Sequence, residues 1–494
     1  MNKAMNPKRE RAAALATCAL LSALMLLFAS QCSPLYPINV WGDANCLLTV
    51  GRVMKSGGVL YRDIYEQKGP LLYLIHMLAA CISDTSFLGV YVMEIPALTA
   101  ALYAAYRLMR LRAGKGFALG AAAVFGALVT TGGSFMRGDS AEEFCLPLLT
   151  AALAIAYAEY GRHAKPMRTK RLLVCGVLAG CIATIKYTLL GAMIGLCAVE
   201  GILALKEGGV LRALKSAGMF LIGMAIPILP WFVYFGLNGA LSDAYTAYIY
   251  NNVFLYGGGA QTWGERLAQW GQYAAANACW VLPAALGLAA LLLDRGETLA
   301  VRLAVLAMAA GQFAAVFLIG RVWPYSLLGL AAFGIIGCMQ LHRLWHPKGL
   351  SLCVRRGALA AACAASLVWA YFATPNAFLR GEDLGNLAQG MFADYVEPGR
   401  TMLQYSYLDG GVYLTTQTRP AGKYFARLNV NLDEMNEELD RYLREGIPDY
   451  VVVDWNRLPD EFDRYEEICA LMSYDDSNRY IKSMILYRRK NDEE

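Results

Sequence analysis

Charged side chains of both signs recur in the polar stretches beside the apolar runs of this sequence. They are Asp43 in WGDAN, Arg62, Asp63, Glu66 and Lys68 in GGVLYRDIYEQKGPLLY, Arg137, Asp139, Glu142 and Glu143 in MRGDSAEE, Lys186 in IATIKYTLL, and Arg321 in GRVWPY. A carboxylate can remove the proton from an acceptor hydroxyl. Lysine and arginine can stabilise the negative charge that grows on a departing phosphate. The set therefore suits transfer of a group from a phosphate to a hydroxyl.

The elements that must position these residues are membrane helices. The chain has 494 residues, of which 57% are hydrophobic and 17% are charged. The apolar residues concentrate in long runs before about Phe372, and runs near twenty residues match the thickness of a bilayer core. This distribution predicts an all-α polytopic membrane protein. The first run is long for a cleaved signal peptide and no small-x-small site closes it, so it is expected to be an uncleaved first span with its basic end in the cytoplasm.

Eleven runs are predicted to span the membrane. They lie near residues 12–30, 87–109, 116–131, 143–159, 172–185, 188–205, 216–236, 277–293, 299–319, 323–341 and 357–374. The run at 70–82 is too short to cross, so residues 31–86 are expected to form one external loop with helices at the membrane surface. Lys186 is expected where two short spans meet.

Basic residues indicate the orientation of the chain. With these spans, the inner loops and the N-terminus carry 22 basic residues, and the outer loops before residue 375 carry eight. Basic residues favour the cytoplasmic side, so the N-terminus is expected inside and the C-terminus outside. All the charged residues named above then lie near the outer face. The basic residues are explained by topology, and no nucleic-acid partner is expected.

The last 120 residues read as a small soluble α/β domain. The sequence predicts strands at GGVYLTT, at PDYVVVD (Pro448–Asp454) and at Tyr480–Arg488, with an amphipathic helix over Leu432–Glu445. A transmembrane domain is therefore predicted for residues 1–374 and an extracytoplasmic domain for residues 375–494. No Gly-rich phosphate loop lies among these elements, so the domain is expected to pack over the outer loops.

Each charged residue also has an ordinary structural interpretation. Asp43 could cap a helix that starts at Ala44, and Lys68 could extend to the lipid headgroups. Arg321 could anchor the end of a span, and Glu142 and Glu143 could serve a helix N-terminus.

The order of these segments resembles the GT-C glycosyltransferases, and more narrowly the bacterial family-39-like enzymes. These are related to protein O-mannosyltransferases and to the aminoarabinose transferase of lipid A. The resemblance rests on WGDANCLLTVGRVMKSGGVLYRDIYEQKGPLLYLI, SAEEFCLPLL, GVLAGCIATIKYTLLGAMIG and GRVWPYSLLGL. In the last segment Pro324 stands where the family often has a histidine.

The resemblance implies a polyprenyl-phosphate sugar as donor and a cell-envelope glycan, lipid or protein as acceptor. It implies that Asp43 is the catalytic acidic residue and that Lys68 contacts the donor phosphate. Some relatives use a pair of acidic residues with a metal, but Ala44 and Asn45 follow Asp43 here. No metal ligands are therefore predicted, and the need for a divalent metal stays open.

The sequence thus predicts an inverting glycosyltransferase of a bacterial cytoplasmic membrane, with Asp43 as general base and Lys68 and Arg321 on the donor phosphate. The residues predicted to orient substrate are Arg62, Asp63, Arg137, Glu142, Glu143 and Lys186. One alternative is a transporter or flippase for a lipid-linked or anionic solute, although few charges fall in mid-span. Another is a polysaccharide polymerase or ligase, for which the loop at 237–276 is the candidate.

Overall fold

The computed structural model describes residues 7–255, 261–318, 322–344, 352–430, 432–459, 462–474 and 480–490. Long apolar helices make up most of the chain up to residue 373. The helices in this part are α1 (Pro7–Ala29), α2 (Gly42–Lys55), α3 (Pro70–Ile82), α4 (Leu88–Met109), α5 (Lys115–Thr131), α6 (Ala141–His163), α7 (Thr169–Lys186), α8 (Gly191–Leu237), α9 (Leu241–Ala244), α10 (Trp263–Ala276), α11 (Ala278–Leu293), α12 (Leu299–Leu318), α13 (Gly334–Leu344) and α14 (Leu352–Ala373).

Among the described residues, four irregular helical segments join these helices, and the first is a 3₁₀ turn at Gly133–Phe135 between α5 and α6. Residues Tyr187–Leu189 form a 3₁₀ turn between α7 and α8, and Pro324–Phe333 form a longer 3₁₀ helix that leads into α13. Residues Tyr245–Leu255 form a π-helix of 11 residues after α9. π-Helical geometry is rare and is frequently found at functional sites.

The protein is a multi-pass membrane protein. Among the described residues, eight helices are long and apolar enough to cross a bilayer, and the bent pair α10–α11 would make nine. Every predicted span falls on a helix: α8 carries two of them and breaks at Gly208 and Gly209, and α5 has 17 residues. The total of eleven spans, and the orientation of the chain, remain predictions.

Small residues let the helices of the bundle approach closely. A Cβ atom on Gly191 would lie 2.2 Å from the carbonyl oxygen of Gly311, and one on Gly223 would lie 2.2 Å from that of Leu173. These contacts join α8 to α12 and to α7. Small residues at helix interfaces of this kind stabilise membrane bundles through close backbone packing.

The loop between α1 and α4 contains two helices, as expected. Helices α2 and α3 pack against each other, and a Cβ atom on Gly51 would clash with the backbone of His76 at 2.5 Å. Helix α3 has 13 residues and starts with Pro70 after Gly69. Proline is favoured at this first helical position because its missing N–H would be unpaired there.

A five-stranded sheet lies in the C-terminal part of the chain. Its strands are β1 (Thr401–Gln404), β2 (Arg419–Pro420), β3 (Tyr450–Val453), β4 (Tyr465–Tyr474) and β5 (Tyr480–Arg489), and they are ordered β2-β1-β3-β5-β4. Strand β1 runs parallel to β2 and β3, and β5 runs antiparallel to β3 and β4. The helices of this part are α15 (Ala388–Met391), α16 (Val412–Thr415) and α17 (Asp433–Glu445).

Three of the four predicted C-terminal elements are present, and one prediction is wrong. The segment GGVYLTT was expected as a strand, but it forms the short helix α16. Gly411 precedes this helix with φ of +95°, a backbone conformation that favours glycine. The hydroxyl of Thr416 then donates to the carbonyl oxygen of Val412 at 2.6 Å. The division into domains at residue 375 remains a prediction.

Candidate active site

Asp43 lies in the first turn of α2. The helix begins at Gly42, and its N-cap is Trp41, which makes no side-chain capping bond. The interpretation of Asp43 as the cap of a helix starting at Ala44 is therefore wrong. The side chain of Asp43 is 7% exposed and lines an open cleft.

Lys68 reaches the same cleft from the loop before α3. Its Nζ atom lies 3.1 Å from Oε1 of Glu66 and 3.7 Å from Oδ2 of Asp43. Burial lowers the pKa of Lys68, but the two carboxylates raise it by more, so the pKa lies above its ordinary value. The ammonium group therefore stays charged at neutral pH, and it faces two carboxylates within the protein.

A backbone contact places Lys68 beside the end of α7. The N–H of Gly69 donates to the carbonyl oxygen of Ile185 at 2.9 Å. A Cβ atom on Gly69 would lie 2.2 Å from the carbonyl oxygen of Thr184. Only glycine permits this close approach. The contact brings the loop of Lys68 to the end of α7, and both Lys68 and Lys186 line the cleft.

Lys186 is held by a carboxylate on the neighbouring span. Its Nζ atom lies 2.6 Å from Oε1 of Glu142, and it also lies 4.9 Å from the centre of the Tyr325 ring. Glu142 is in the first turn of α6, where Ser140 caps the helix by accepting from the N–H of Glu143. Glu142 is thus held at the start of α6, and its carboxylate holds the ammonium group of Lys186 in place.

The cleft contains about 820 Å³ of empty space, including the space at its mouth. Four predicted site residues line it: Asp43, Lys68, Glu142 and Lys186. The rest of its wall is largely aromatic and aliphatic, including Tyr187, Leu189, Tyr248, Val316, Trp323 and Tyr325. The cleft combines two ammonium groups and two carboxylates with a lipid-compatible surface.

Four other predicted residues do not line this cleft. Arg62 and Asp63 pair with each other on the surface at 2.8 Å, and Arg62 also donates to the carbonyl oxygen of Asn238. Arg137 is buried, where it donates to Asn376 at 2.8 Å. Glu143 is buried and accepts from the N–H of Asp139 at 2.9 Å. Arg321 lies outside the described residues.

Several residues of the site were not predicted. Glu66 holds Lys68 through both its N–H and its ammonium group, and its position two residues before Lys68 was an available signal. Asn252 of the π-helix donates to the carbonyl oxygen of Gln67 at 2.7 Å. Below the cleft, His76 and Asp139 form a buried pair at 2.8 Å. For Asn252 and His76 the sequence offered no signal.

The C-terminal part closes over α2. The hydroxyl of Thr49 donates to Oδ2 of Asp409 at 2.6 Å, and Arg52 donates to the carbonyl oxygen of Tyr413 at 2.8 Å. Asp409 is fully buried, and burial raises its pKa from 3.8 to about 6. The expected packing over the outer loop is therefore present, and it supports the helix that carries Asp43.

The carboxylates of the cleft pair with lysines in this structure. Within the part of the chain that the structure describes, no three His, Cys, Asp or Glu side chains are placed to share an ion. Each carboxylate in the cleft is instead paired with a lysine, as Glu142 is with Lys186.

No protein-family model and no curated protein sequence matches the chain. Solved structures do match. ArnT from Cupriavidus metallidurans bound to undecaprenyl phosphate superimposes with a TM-score of 0.65 over 96% of this chain and 97% of ArnT, at 13% identity. Apo ArnT gives a TM-score of 0.63 over 98% of both chains, at 14% identity.

The chain has the GT-C fold. The structural match to ArnT extends over nearly the whole length of both proteins, so it includes the C-terminal part as well as the membrane helices. AglB, an oligosaccharyltransferase from Archaeoglobus fulgidus, also matches, with a TM-score of 0.45 over 91% of this chain and 70% of that chain, at 13% identity.

Proposed function

We propose that this protein is a membrane glycosyltransferase that moves a sugar from a polyprenyl-phosphate donor to an acceptor hydroxyl. The observation that carries the proposal is the convergence of Asp43, Lys68, Glu142 and Lys186 in one open cleft. These residues come from three segments that are far apart in the sequence. The reaction needs a base for the acceptor and cations for the departing phosphate, and both are present in the cleft.

Asp43 is the general base of the proposed reaction. Its carboxylate takes the proton of the acceptor hydroxyl while the acceptor oxygen bonds to the anomeric carbon of the sugar. The bond from that carbon to the phosphate oxygen breaks, and polyprenyl phosphate leaves with the bonding electrons. Attack from the face opposite the phosphate inverts the anomeric configuration.

The two lysines bind the phosphate in this proposal. Lys68 and Lys186 are each paired with carboxylates in the structure. A phosphate between them would share both ammonium groups, and contact with the phosphate would draw Lys68 away from Asp43. The carboxylate of Asp43 would then be available to the acceptor. Arg321 remains a further candidate for the same phosphate.

The apolar part of the cleft suits a lipid-linked donor. Leu189, Val316 and Trp323 line the cleft, and a polyprenyl chain can pack on such a surface. The similar structure of ArnT was determined with undecaprenyl phosphate bound. This supports a donor of the same chemical class, acting at the outer face of a bacterial cytoplasmic membrane.

The experiment is donor consumption by purified protein in nanodiscs. A panel of polyprenyl-phosphate sugars is supplied with an envelope extract as the source of acceptor, and released polyprenyl phosphate is measured. The proposal predicts release from at least one donor. If no donor is consumed but labelled lipid moves between the leaflets of vesicles that contain the protein, the transporter alternative replaces it.

A further inference from the structure

A second cleft lies next to the first, between the external loop, the π-helix and the C-terminal part of the chain. Its volume is about 1000 Å³, including the space at its mouth. None of the charged residues of the first cleft lines it. The role proposed above for the first cleft leaves this space without a ligand.

The two clefts share a wall made of two segments. Asn251 of the π-helix donates to the hydroxyl of Tyr65 at 2.9 Å on the side of the second cleft. The next residue, Asn252, donates to the carbonyl oxygen of Gln67 at 2.7 Å on the side of the first cleft. A ligand in the second cleft is therefore separated from the first cleft by this wall, which includes the loop on which Lys68 lies.

An exposed tyrosine gives the second cleft a surface suited to a sugar ring. Of the four tyrosines that line it, Tyr61, Tyr65 and Tyr424 are buried within the protein, with at most 2% of their surface exposed. Tyr250 is 43% exposed, so its ring is available to a ligand. The C–H faces of a pyranose ring are apolar and stack on aromatic rings, whereas its hydroxyls need polar partners such as carboxylates and amides.

The charges in the second cleft select against anions. Asp243, Asp433 and Glu434 line it, with Lys423 as the one basic residue among the lining residues that the structure describes. Lys423 lies 3.4 Å from Asp243, which leaves the two carboxylates at the start of α17 in excess. The first cleft has two lysines for a phosphate, so the two clefts differ in the charge of the ligand that they favour.

We infer that the second cleft binds a neutral or amine-bearing glycan, as the part of the acceptor that lies away from the reacting hydroxyl. Naming this ligand as part of the acceptor rests on the proposed glycosyl transfer. The binding of a glycan in the second cleft does not depend on it. The ring of Tyr250 stacks on a sugar ring, and the carboxylates accept from hydroxyl or ammonium groups. Because the two clefts adjoin, this part of the acceptor lies close to the cleft that holds Asp43.

The test is binding of three forms of one disaccharide to the full-length protein in nanodiscs, without any donor. The probes are chitobiose with free amines, with acetylated amines, and with sulfated amines, and Kd is measured by saturation-transfer NMR. We expect the amine and acetylated forms to bind and the sulfated form to bind at least tenfold more weakly. Tyr250→Ala should weaken binding about tenfold, whereas Tyr245→Ala, on the same π-helix but outside both clefts, should not.

Asp433→Asn provides a second variant. It should weaken binding of the amine form more than that of the acetylated form, since only the amine form carries a positive charge. The inference is overturned if no form binds, if the sulfated form binds as tightly as the others, or if Tyr250→Ala leaves Kd unchanged with its Tm preserved. This binding experiment contains no donor, so its result does not depend on whether the protein transfers a sugar. In the same way, a failure of glycan binding here would leave the result of the donor-consumption experiment unchanged.

Discussion

The N–H of Gly69 donates to the carbonyl oxygen of Ile185 across 2.9 Å, and each of these residues is the immediate neighbour of a lysine in the cleft. The contact joins the external loop to the end of α7. It therefore fixes the separation of Lys68 and Lys186, the two cations that the proposed mechanism places on one phosphate. Two of the predictions below follow from how Lys68 is held.

Gly69→Ala should reduce donor turnover about a hundredfold, because displacement of a catalytic group by about 1 Å has an effect of this size. The new Cβ atom would meet the carbonyl oxygen of Thr184 at 2.2 Å and push Lys68 away from Lys186. The measurement is the rate of polyprenyl phosphate release. Gly114→Ala is the matched control: Gly114 is also an N-cap with extended backbone angles, and a Cβ atom there meets nothing within 4 Å. Equal activity of the two variants would contradict the account.

Glu66→Gln should raise the KM for donor about tenfold with a smaller change in kcat, because Glu66 positions Lys68 and contacts no reacting atom in the proposed mechanism. The measurement is the dependence of polyprenyl phosphate release on donor concentration. Glu397→Gln, which removes an exposed ion pair with Arg400, is the control. A fall in kcat with an unchanged KM would contradict this role.

The stability of the protein should depend on the protonation of Asp409. Burial raises the pKa of this residue to about 6 from 3.8, so the folded protein binds its proton more tightly than the unfolded chain does. Stability from this group is therefore greatest below about pH 4 and falls by about 3 kcal/mol as the pH rises to about 6.

Asp409→Asn should remove this part of the pH dependence. The amide can still accept from the N–H of Gly411, and it can donate to the hydroxyl of Thr49. Thermal unfolding between pH 4 and 7 should give the variant a smaller loss of Tm than the wild type, with exposed Asp394→Asn as control. Parallel Tm curves for wild type and Asp409→Asn would refute this role.

Much of the fold follows from the distribution of apolar residues. Runs near twenty residues form helices in a membrane because every backbone polar group must be paired within the segment, and each predicted span lies on a helix. The pair of surface helices followed from the short run at 70–82. The segment GGVYLTT was assigned wrongly, because Gly411 turns the backbone and the threonine hydroxyls then bond to local carbonyl oxygens.

The candidate site was only partly predictable. Asp43, Lys68, Glu142 and Lys186 were named from residue type and order, and the fold brings them into one cleft. Arg62 and Asp63 belong to the same loop as Lys68, but they pair with each other on the surface. Which charges of a loop turn inward depends on tertiary contacts such as that of Gly69 with Ile185, and no sequence spacing encodes these.

The most direct test of the central claim compares Asp43→Asn with wild type in polyprenyl phosphate release. The control is Asp84→Asn, which removes another carboxylate of the external loop that is paired with a lysine, Lys55. If Asp43 is the general base, Asp43→Asn should be at least about a hundredfold slower, with unchanged Tm and with Asp84→Asn near wild type. If Asp43→Asn releases polyprenyl phosphate at the wild-type rate, Asp43 is not the base and the proposed mechanism is wrong.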